Sequence, residues 1–307
     1  MQNFKITHYF ASHYRIVMRF AQHKILYQRI VFISILLHGV CFGQSPEISV
    51  FGGVSNYLGE LSDKVFSTST AGSVLGLNFK YPLNTHFWVR GSVAQGTLAG
   101  ADRYNSPDLH RRNLSFQSAL TDGYLAVEYR LFTEERSAIT PYIFTGAGAF
   151  HFNPYVVYGD KKEKVYLQPL GTEGQGLPEY PERKKYKLTQ VFIPIGVGMN
   201  WNLNEKWMLG FEFRQNIIFT DYLDDVSTRY ALPGVLLAGN GPLAVELAWR
   251  RDEYDGRPYP ATEGIRGNSD NDDMYYYLGL HAGFKLPGGL GNAGSKKNKN
   301  QWSCPKW

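Results

Sequence analysis

Charged side chains recur at alternate positions inside otherwise apolar stretches of this 307-residue chain. The stretch "YLAVEYRLF" contains Glu128 and Arg130, and "LGFEFRQNI" repeats the arrangement with Glu212 and Arg214. Alternate residues of a strand share one face, and a charge withdrawn from water requires a partner of opposite sign. The spacing therefore predicts a buried polar network of Lys80, Arg90, Glu128, Arg130, Glu212, Arg214 and His281. A structural plug of ion pairs is the favoured interpretation, and a proton or ion path is the alternative.

Two acidic stretches could bind a hard cation. "FTDYLDD", residues 219–225, and "NSDNDD", residues 268–273, each place three carboxylates close together, and Ca²⁺ binds carboxylate oxygens. Neither stretch has the spacing of a helix–loop–helix calcium loop, which favours hydrated acidic loops without a metal.

Histidine is the other residue type that could carry chemistry, since it transfers protons near neutral pH. Neither His151 nor His281 has a serine or carboxylate partner that can be argued from spacing. The chain also lacks the G-x-S-x-G, C-x-x-C, H-E-x-x-H and phosphate-loop motifs. We therefore expect no enzyme and no cofactor.

The charged positions lie on segments with a period of two. In "VFIPIGVGMNW", Val191, Ile195 and Trp201 belong to a fully apolar face, opposite small or polar residues. Pro194 lacks an amide proton, so a local bulge is expected there. Eight stretches follow this pattern: "EISVFGGVS", "SVLGLNFKY", "FWVRGSVAQ", "YLAVEYRLF", "TPYIFTGAGAFHF", "VFIPIGVGMNW", "LGFEFRQNI" and "DMYYYLGLHAGFKLP".

The connections between these stretches alternate between short and long. "PLNT", "TEERSAI" and "NLNEK" are short, whereas the others run from about 15 to more than 50 residues. This alternation, with one apolar face on each strand, predicts an all-β fold: a transmembrane, antiparallel, up-and-down β-barrel of about eight strands over residues 44–287. Ten strands are the alternative. Short turns are expected in the periplasm and long loops outside, with a short helix starting at Pro242 in the last loop.

The first 43 residues are expected to be a secretory signal peptide. Five lysines and arginines precede the apolar run "IVFISILLHGV", which is too short to span a membrane as a helix. Removing this segment leaves 27 basic and 27 acidic residues, so the net charge of +5 belongs to the leader and we expect no nucleic-acid binding.

Residues 288–307 form a basic, Gly/Lys-rich tail. It contains no acid, and its candidate partner-contact residues are Lys296, Lys297, Lys299, Trp302, Cys304, Lys306 and Trp307. Cys304 is the only cysteine left after the leader, so it forms either an intermolecular disulfide or a free thiol.

Five stretches in order resemble the PorG family, outer-membrane barrels of Bacteroidota associated with the type IX secretion system. They are "FGGVSNYLGEL", "VYLQPLGTEGQGLPEYPERKKY", "FTDYLDDVSTRY", "RGNSDNDDMYYYLG" and the ending "CPKW". The resemblance covers residue 46 to the C-terminus.

The resemblance implies a non-enzymatic component in the cell outer membrane, surrounded by its lipids. The family anchors a periplasmic ring, made of a lipoprotein and its partner protein, that supports export of cargo, including gliding-motility proteins in some species. The tail would then lie in the periplasm and contact this ring. The alternative function is that of a generic small barrel with a structural or surface-ligand-binding role.

Overall fold

The computed structural model describes residues 45–62, 64–132 and 137–287. The expected leader and tail lie outside them. Nine strands occur in the described part: β1 Glu47–Leu58, β2 Gly72–Pro82, β3 Phe87–Ala101, β4 Ser115–Arg130, β5 Ile139–Tyr158, β6 Glu163–Tyr166, β7 Thr189–Asn202, β8 Trp207–Ile218 and β9 Met274–Lys285.

Eight of these strands close into a barrel. Every pairing is antiparallel, and strands adjacent in the chain pair along β1 to β5 and along β7 to β9, with β5 joined to β7. The circle is closed by β1 and β9, which pair over their full lengths from Glu47 opposite Lys285 to Leu58 opposite Met274. The predicted eight-stranded, up-and-down barrel is confirmed, and the ten-stranded alternative is wrong.

The ninth strand was not predicted. The short strand β6 pairs with the last four residues of β5. The two strands form a hairpin that extends beyond the barrel wall.

The two ends of the barrel differ. At the turn end, residues 83–86, 131–138 and 203–206 connect β2 to β3, β4 to β5 and β7 to β8. At the loop end, the connections span residues 59–71, 102–114, 159–188 and 219–273. Both chain ends of the barrel meet at the turn end, where the Leu286 amide donates to the Pro46 carbonyl oxygen at 2.8 Å.

A band of apolar side chains surrounds the barrel near the turn end. On β7 the outward residues are Val191, Ile193, Ile195, Val197, Met199 and Trp201, and all are exposed. Strands β2, β4 and β8 contribute exposed Leu75, Leu77, Val127 and Phe211. In a closed barrel the strands hydrogen-bond one another's backbone N–H and C=O groups, as lipid requires. The outward apolar band therefore identifies the fold as a transmembrane barrel.

The outward face changes character toward the loop end. Beyond Val93 the outward residues of β3 are Gln95 and Thr97, and on β5 they include His151. β5 has 20 residues, more than the roughly 9–11 that a spanning strand needs. The barrel therefore projects well beyond the membrane at its loop end.

No helix in the described part of the chain is long and apolar enough to cross a membrane. The loop end carries a 3₁₀ turn at Asp102–Tyr104 and four short helices: α1 Pro107–His110, α2 Pro233–Asn240, α3 Pro242–Ala248 and α4 Asp252–Asp255. The predicted helix at Pro242 is confirmed, with proline in its first turn.

The expected bulge at Pro194 is wrong. The β5–β7 ladder is interrupted opposite Ile193 and Pro194, but the register is the same on both sides: Thr145 lies opposite Ile195 and Gly148 opposite Phe192. The missing amide proton costs a hydrogen bond without inserting a residue. Pairing with β8 continues through Pro194 opposite Asn216.

Candidate functional site

The polar interior of the barrel is the first candidate site, and it begins at the turn end. The Arg130 guanidinium donates two hydrogen bonds to the Glu47 carboxylate, at 3.0 and 2.6 Å, and a third to Glu128 at 3.0 Å. Its guanidinium carbon lies 3.6 Å from the centroid of the Trp88 ring. Lys80 Nζ lies 2.8 Å from the other oxygen of Glu128. All five side chains are buried.

A second layer of ion pairs lies above the first. Arg90 donates to both oxygens of Glu212, at 2.6 and 2.8 Å, and its nearest nitrogen is 3.7 Å from Glu128. The Tyr142 hydroxyl donates to Glu212 at 2.7 Å. A bidentate, charge-assisted ion pair of this kind fixes the orientation of both side chains and compensates their charges.

A third ion pair joins Arg214 to Asp122 at 2.8 Å. The Arg214 guanidinium also stacks over Tyr277 and Tyr124, with its central carbon 4.5 and 4.8 Å from the ring centroids. Farther toward the loop end the interior is filled by the buried rings of Phe150, Phe152, Phe192 and Tyr275.

The structure places all seven predicted interior residues inside the barrel, and six of them lie in these ion pairs. The seventh, His281, accompanies Asn200, whose side-chain oxygen is 2.9 Å from Nε2 of the imidazole. The sequence prediction missed Glu47 and Asp122. The four predicted cations had only two predicted carboxylates, so two more acids were required to balance the charge.

His151 is not part of the interior. Its imidazole is exposed on the outer wall and lies 3.0 Å from the Thr189 hydroxyl through Nδ1. No carboxylate or serine of the described chain bonds to it.

The loop end is closed by an ordered cap, which we define as residues 159–188 and 219–273. Its centre is the fully buried carboxylate of Glu173. Glu173 accepts hydrogen bonds from the amides of Ser227 and Thr228 at 3.0 Å each, and from the Thr228 hydroxyl at 2.6 Å. Arg266 donates to it at 3.0 Å. One side chain thereby joins three distant parts of the chain.

Asp225 forms the second junction of the cap. Its carboxylate accepts from the hydroxyls of Thr172, at 2.5 Å, and Tyr186, at 2.7 Å. Burial raises the pKa of Asp225 to about 6, although the nearby Arg266 opposes that shift. Two glycines beside these residues adopt left-handed conformations, with φ of 56° at Gly171 and 80° at Gly174.

The two acidic stretches are only partly hydrated, so that expectation is wrong for most of their carboxylates. Asp221, Asp224, Asp225 and Asp273 are buried, whereas Asp270 and Asp272 are exposed. Asp224 and Asp273 lie together with Glu60, each offering an oxygen within 4.8 Å of the others. Burial, followed by repulsion between carboxylates, raises the pKa of Asp221 to about 9 and the pKa values of Asp224 and Asp273 well above their usual range.

The candidate partner-contact residues of the tail, from Lys296 to Trp307, lie outside the described residues, as does Cys304. What the structure establishes is where the tail begins. The chain leaves the barrel at the turn end, after Lys285.

Replacing Glu212 with glutamine should destabilise the barrel, because Arg90 would lose the charge that compensates its burial. We expect a loss of about 3–5 kcal/mol in the free energy of unfolding, measured by denaturant titration in detergent micelles. Glu205→Gln, in an exposed turn, is the matched control and should change the value by less than about 0.5 kcal/mol. Equal stability of the two variants would contradict the buried ion-pair assignment.

Replacing Glu173 with glutamine should loosen the cap and leave the barrel intact, because Glu173 connects only cap segments. We expect local stability to fall by about 1–3 kcal/mol, seen as faster amide hydrogen exchange in residues 171–186 and 222–228. Glu179→Gln, exposed in the same loop, is the control. Unchanged exchange in these segments would show that Glu173 does not organise the cap.

Comparison with known proteins supplies a match to one family model over part of the chain and matches to several solved structures. A family model described as a domain of unknown function, DUF6089, matches residues 24–170. No curated protein matches the sequence.

The similar solved structures include Ail, the attachment invasion locus protein of Yersinia pestis. It is 11% identical, with a TM-score of 0.38 over 79% of this chain and 99% of that chain. Neisserial surface protein A is 10% identical, with a TM-score of 0.40 over 78% and 97% of the two chains. Escherichia coli outer membrane protein W is 12% identical, with a TM-score of 0.33 over 80% and 100%.

Proposed function

We propose that this protein is a non-enzymatic component of the outer membrane that anchors the periplasmic ring of a type IX secretion system. Its partners would be the ring lipoprotein and the protein bound to that lipoprotein, and its role would be to support export of cargo. The observation that carries the anchor role is the interior of the barrel, which is filled by paired charges and aromatic rings.

The filled interior favours an anchor over a pore. Arg90 with Glu212, Arg130 with Glu47 and Arg214 with Asp122 cross-link opposite or distant strands of the barrel. A polypeptide in transit would have to break these pairs, each at a cost of several kcal/mol. Eight strands enclose only enough space for side chains.

The position of the chain ends supports docking at the turn end. β1 begins and β9 ends there, so residues 288–307 follow directly from the barrel on the side of the short turns. In barrels of this kind short turns face the periplasm. The tail's lysines, Trp302 and Trp307 offer charge and aromatic surface to a partner, and Cys304 offers a disulfide.

The stretches that carry the PorG resemblance lie mainly in the cap. Glu173, Asp225 and Arg266 come from three of them and contact one another. These stretches therefore have a role in the folding of the cap, which is independent of ring contact. The proposal of ring contact rests instead on the turn end, the tail and the resemblance as a whole.

A surface-ligand-binding role is the second candidate, favoured by the clefts in the cap. One cleft of about 730 Å³ is lined by Arg183, Lys184, Arg229 and Glu182, together with uncharged residues that include Tyr222 and Asn268. Its size is that of a small-molecule site. Arg183 is paired with Glu263 at 3.1 Å, so Lys184 and Arg229 are the cations that would bind an anionic ligand. In that case the cap carries the function, and the tail is dispensable.

Deleting residues 288–307 separates the two functions. The anchor proposal predicts a folded barrel with an unchanged denaturation midpoint, but loss of ring attachment and of cargo secretion. The matched variant Lys184→Gln with Arg229→Gln changes the charge of the cleft and should leave secretion normal. If Cys304→Ser removes a high-mass band from a non-reducing gel, Cys304 forms an intermolecular disulfide.

Normal secretion by the deleted protein would overturn the anchor proposal. If the deleted protein attaches to the ring normally and only the variant with Lys184→Gln and Arg229→Gln is defective in secretion, ligand binding at the cap is favoured.

A further inference from the structure

Four carboxylates meet at the loop end of three neighbouring strands. Glu60 follows β1, Asp221 and Asp224 follow β8, and Asp273 immediately precedes β9. β9 lies between β8 and β1 in the barrel, so closure of the barrel brings these positions together. We call these four residues the acid cluster.

The acid cluster has no direct counter-charge among the described residues. None of the ion pairs in the described chain includes any of its four carboxylates. The nearest guanidinium, that of Arg112, is committed to Asp102 with hydrogen bonds of 2.9 and 2.7 Å. Arg112 also donates to the backbone oxygens of Glu60 and Arg266. Buried anions without a partner are strongly unfavourable.

Asp221 provides an independent indication of a bound cation. Asp221 is 7% exposed, and neither of its carboxylate oxygens forms a hydrogen bond of ordinary geometry within the described residues, although the Ser227 hydroxyl and the Glu60 carboxyl group lie near it. The carboxyl group lies close to that of Glu60, whose Oε2 is also buried. Two neighbouring buried carboxylates form an arrangement that a shared cation stabilises.

The surroundings hold the carboxylates in place. The Tyr57 hydroxyl lies 2.6 Å from Asp224 and 2.9 Å from Asp273, and the Leu223 amide donates to Asp273 at 2.8 Å. One hydroxyl proton serves only one of these two acids. A β-carbon at Gly59 would lie 1.9 Å from Asp273 Oδ1, so only glycine fits beside the cluster.

We propose that the acid cluster binds a Ca²⁺ ion, with Glu60, Asp224 and Asp273 as ligands and Asp221 as the fourth carboxylate. The ion joins β1, β8 and β9 at the point where the cap begins.

The chemistry of the cluster favours Ca²⁺ over other metals. All the donors are carboxylate oxygens, which suit hard cations, and the described part of the cluster contains no histidine or cysteine ligand. Oxygens on opposite sides of one Ca²⁺ ion, each at about 2.4 Å, lie about 4.8 Å apart. The three ligand oxygens fall within that separation. Mg²⁺ requires closer, octahedral ligands and gives up its water less readily.

Terbium luminescence tests the site on the full-length protein in detergent micelles. Tb³⁺ occupies oxygen-rich calcium sites, and its emission is excited through a nearby tyrosine, here Tyr57. We expect tyrosine-excited emission from the wild-type protein, displaced by CaCl₂ at lower concentration than by MgCl₂. Asp224→Asn should weaken Tb³⁺ and Ca²⁺ binding by about tenfold or more.

The control is Asp272→Asn, which removes an exposed acid one residue before Asp273 and should leave binding unchanged. Glu60→Gln, at the partly exposed edge of the cluster, is the second variant if Asp224→Asn does not fold. Wild-type protein without tyrosine-excited emission, or equal emission from wild type and Glu60→Gln, would overturn the proposal.

Discussion

The pairing of β1 with β9 is the constraint on which the rest of the structure depends. This ladder joins the first and last strands over twelve residue pairs and leaves the barrel wall without an open edge. A closed wall pairs the backbone groups of its strands, apart from the break opposite Pro194, and this permits an outer face of exposed Val, Ile, Leu and aromatic side chains in lipid. It also isolates the interior from both lipid and bulk water. A charged side chain that points inward therefore requires an opposite charge inside the barrel.

The interior and the cap meet this requirement in different ways. Inside the barrel, Lys80, Arg90, Arg130 and Arg214 are matched by Glu47, Glu128, Glu212 and Asp122, so charge balances within the wall. In the cap, Arg266 lies between Glu173 and Asp225. The acid cluster lacks such a match, which is why a metal ion is the natural partner for it. The barrel interior, the cap and the proposed cation site thus share one electrostatic requirement, the pairing of buried charges.

Alternation was sufficient to predict the strands where they cross the membrane. Lys80, Arg90 and Glu128 were predicted to point into the barrel because apolar residues alternate with them along their strands. The apolar residues identify the lipid-facing side of each strand, and the charged residues therefore lie on the other side. The same rule failed above the membrane, where β4 places Phe116 and Leu120 inside and Gln117 and Thr121 outside. There the outer face meets water and the hydropathy pattern reverses, so Asp122 was missed. Glu47 was missed because it is the first residue of β1, where alternation has barely begun.

The acid cluster was hidden for a different reason. Its members lie in loops, which have no periodicity, and Glu60 is more than 200 residues from Asp273 in the chain. Barrel closure was nevertheless predictable, and closure alone brings the ends of β8, β9 and β1 together. An interior filled by ion pairs and aromatic rings should conduct nothing. Conductance of the purified protein in a planar lipid bilayer tests this: we expect no ion current above that of the bare membrane, and regular stepwise openings would show that the interior is open.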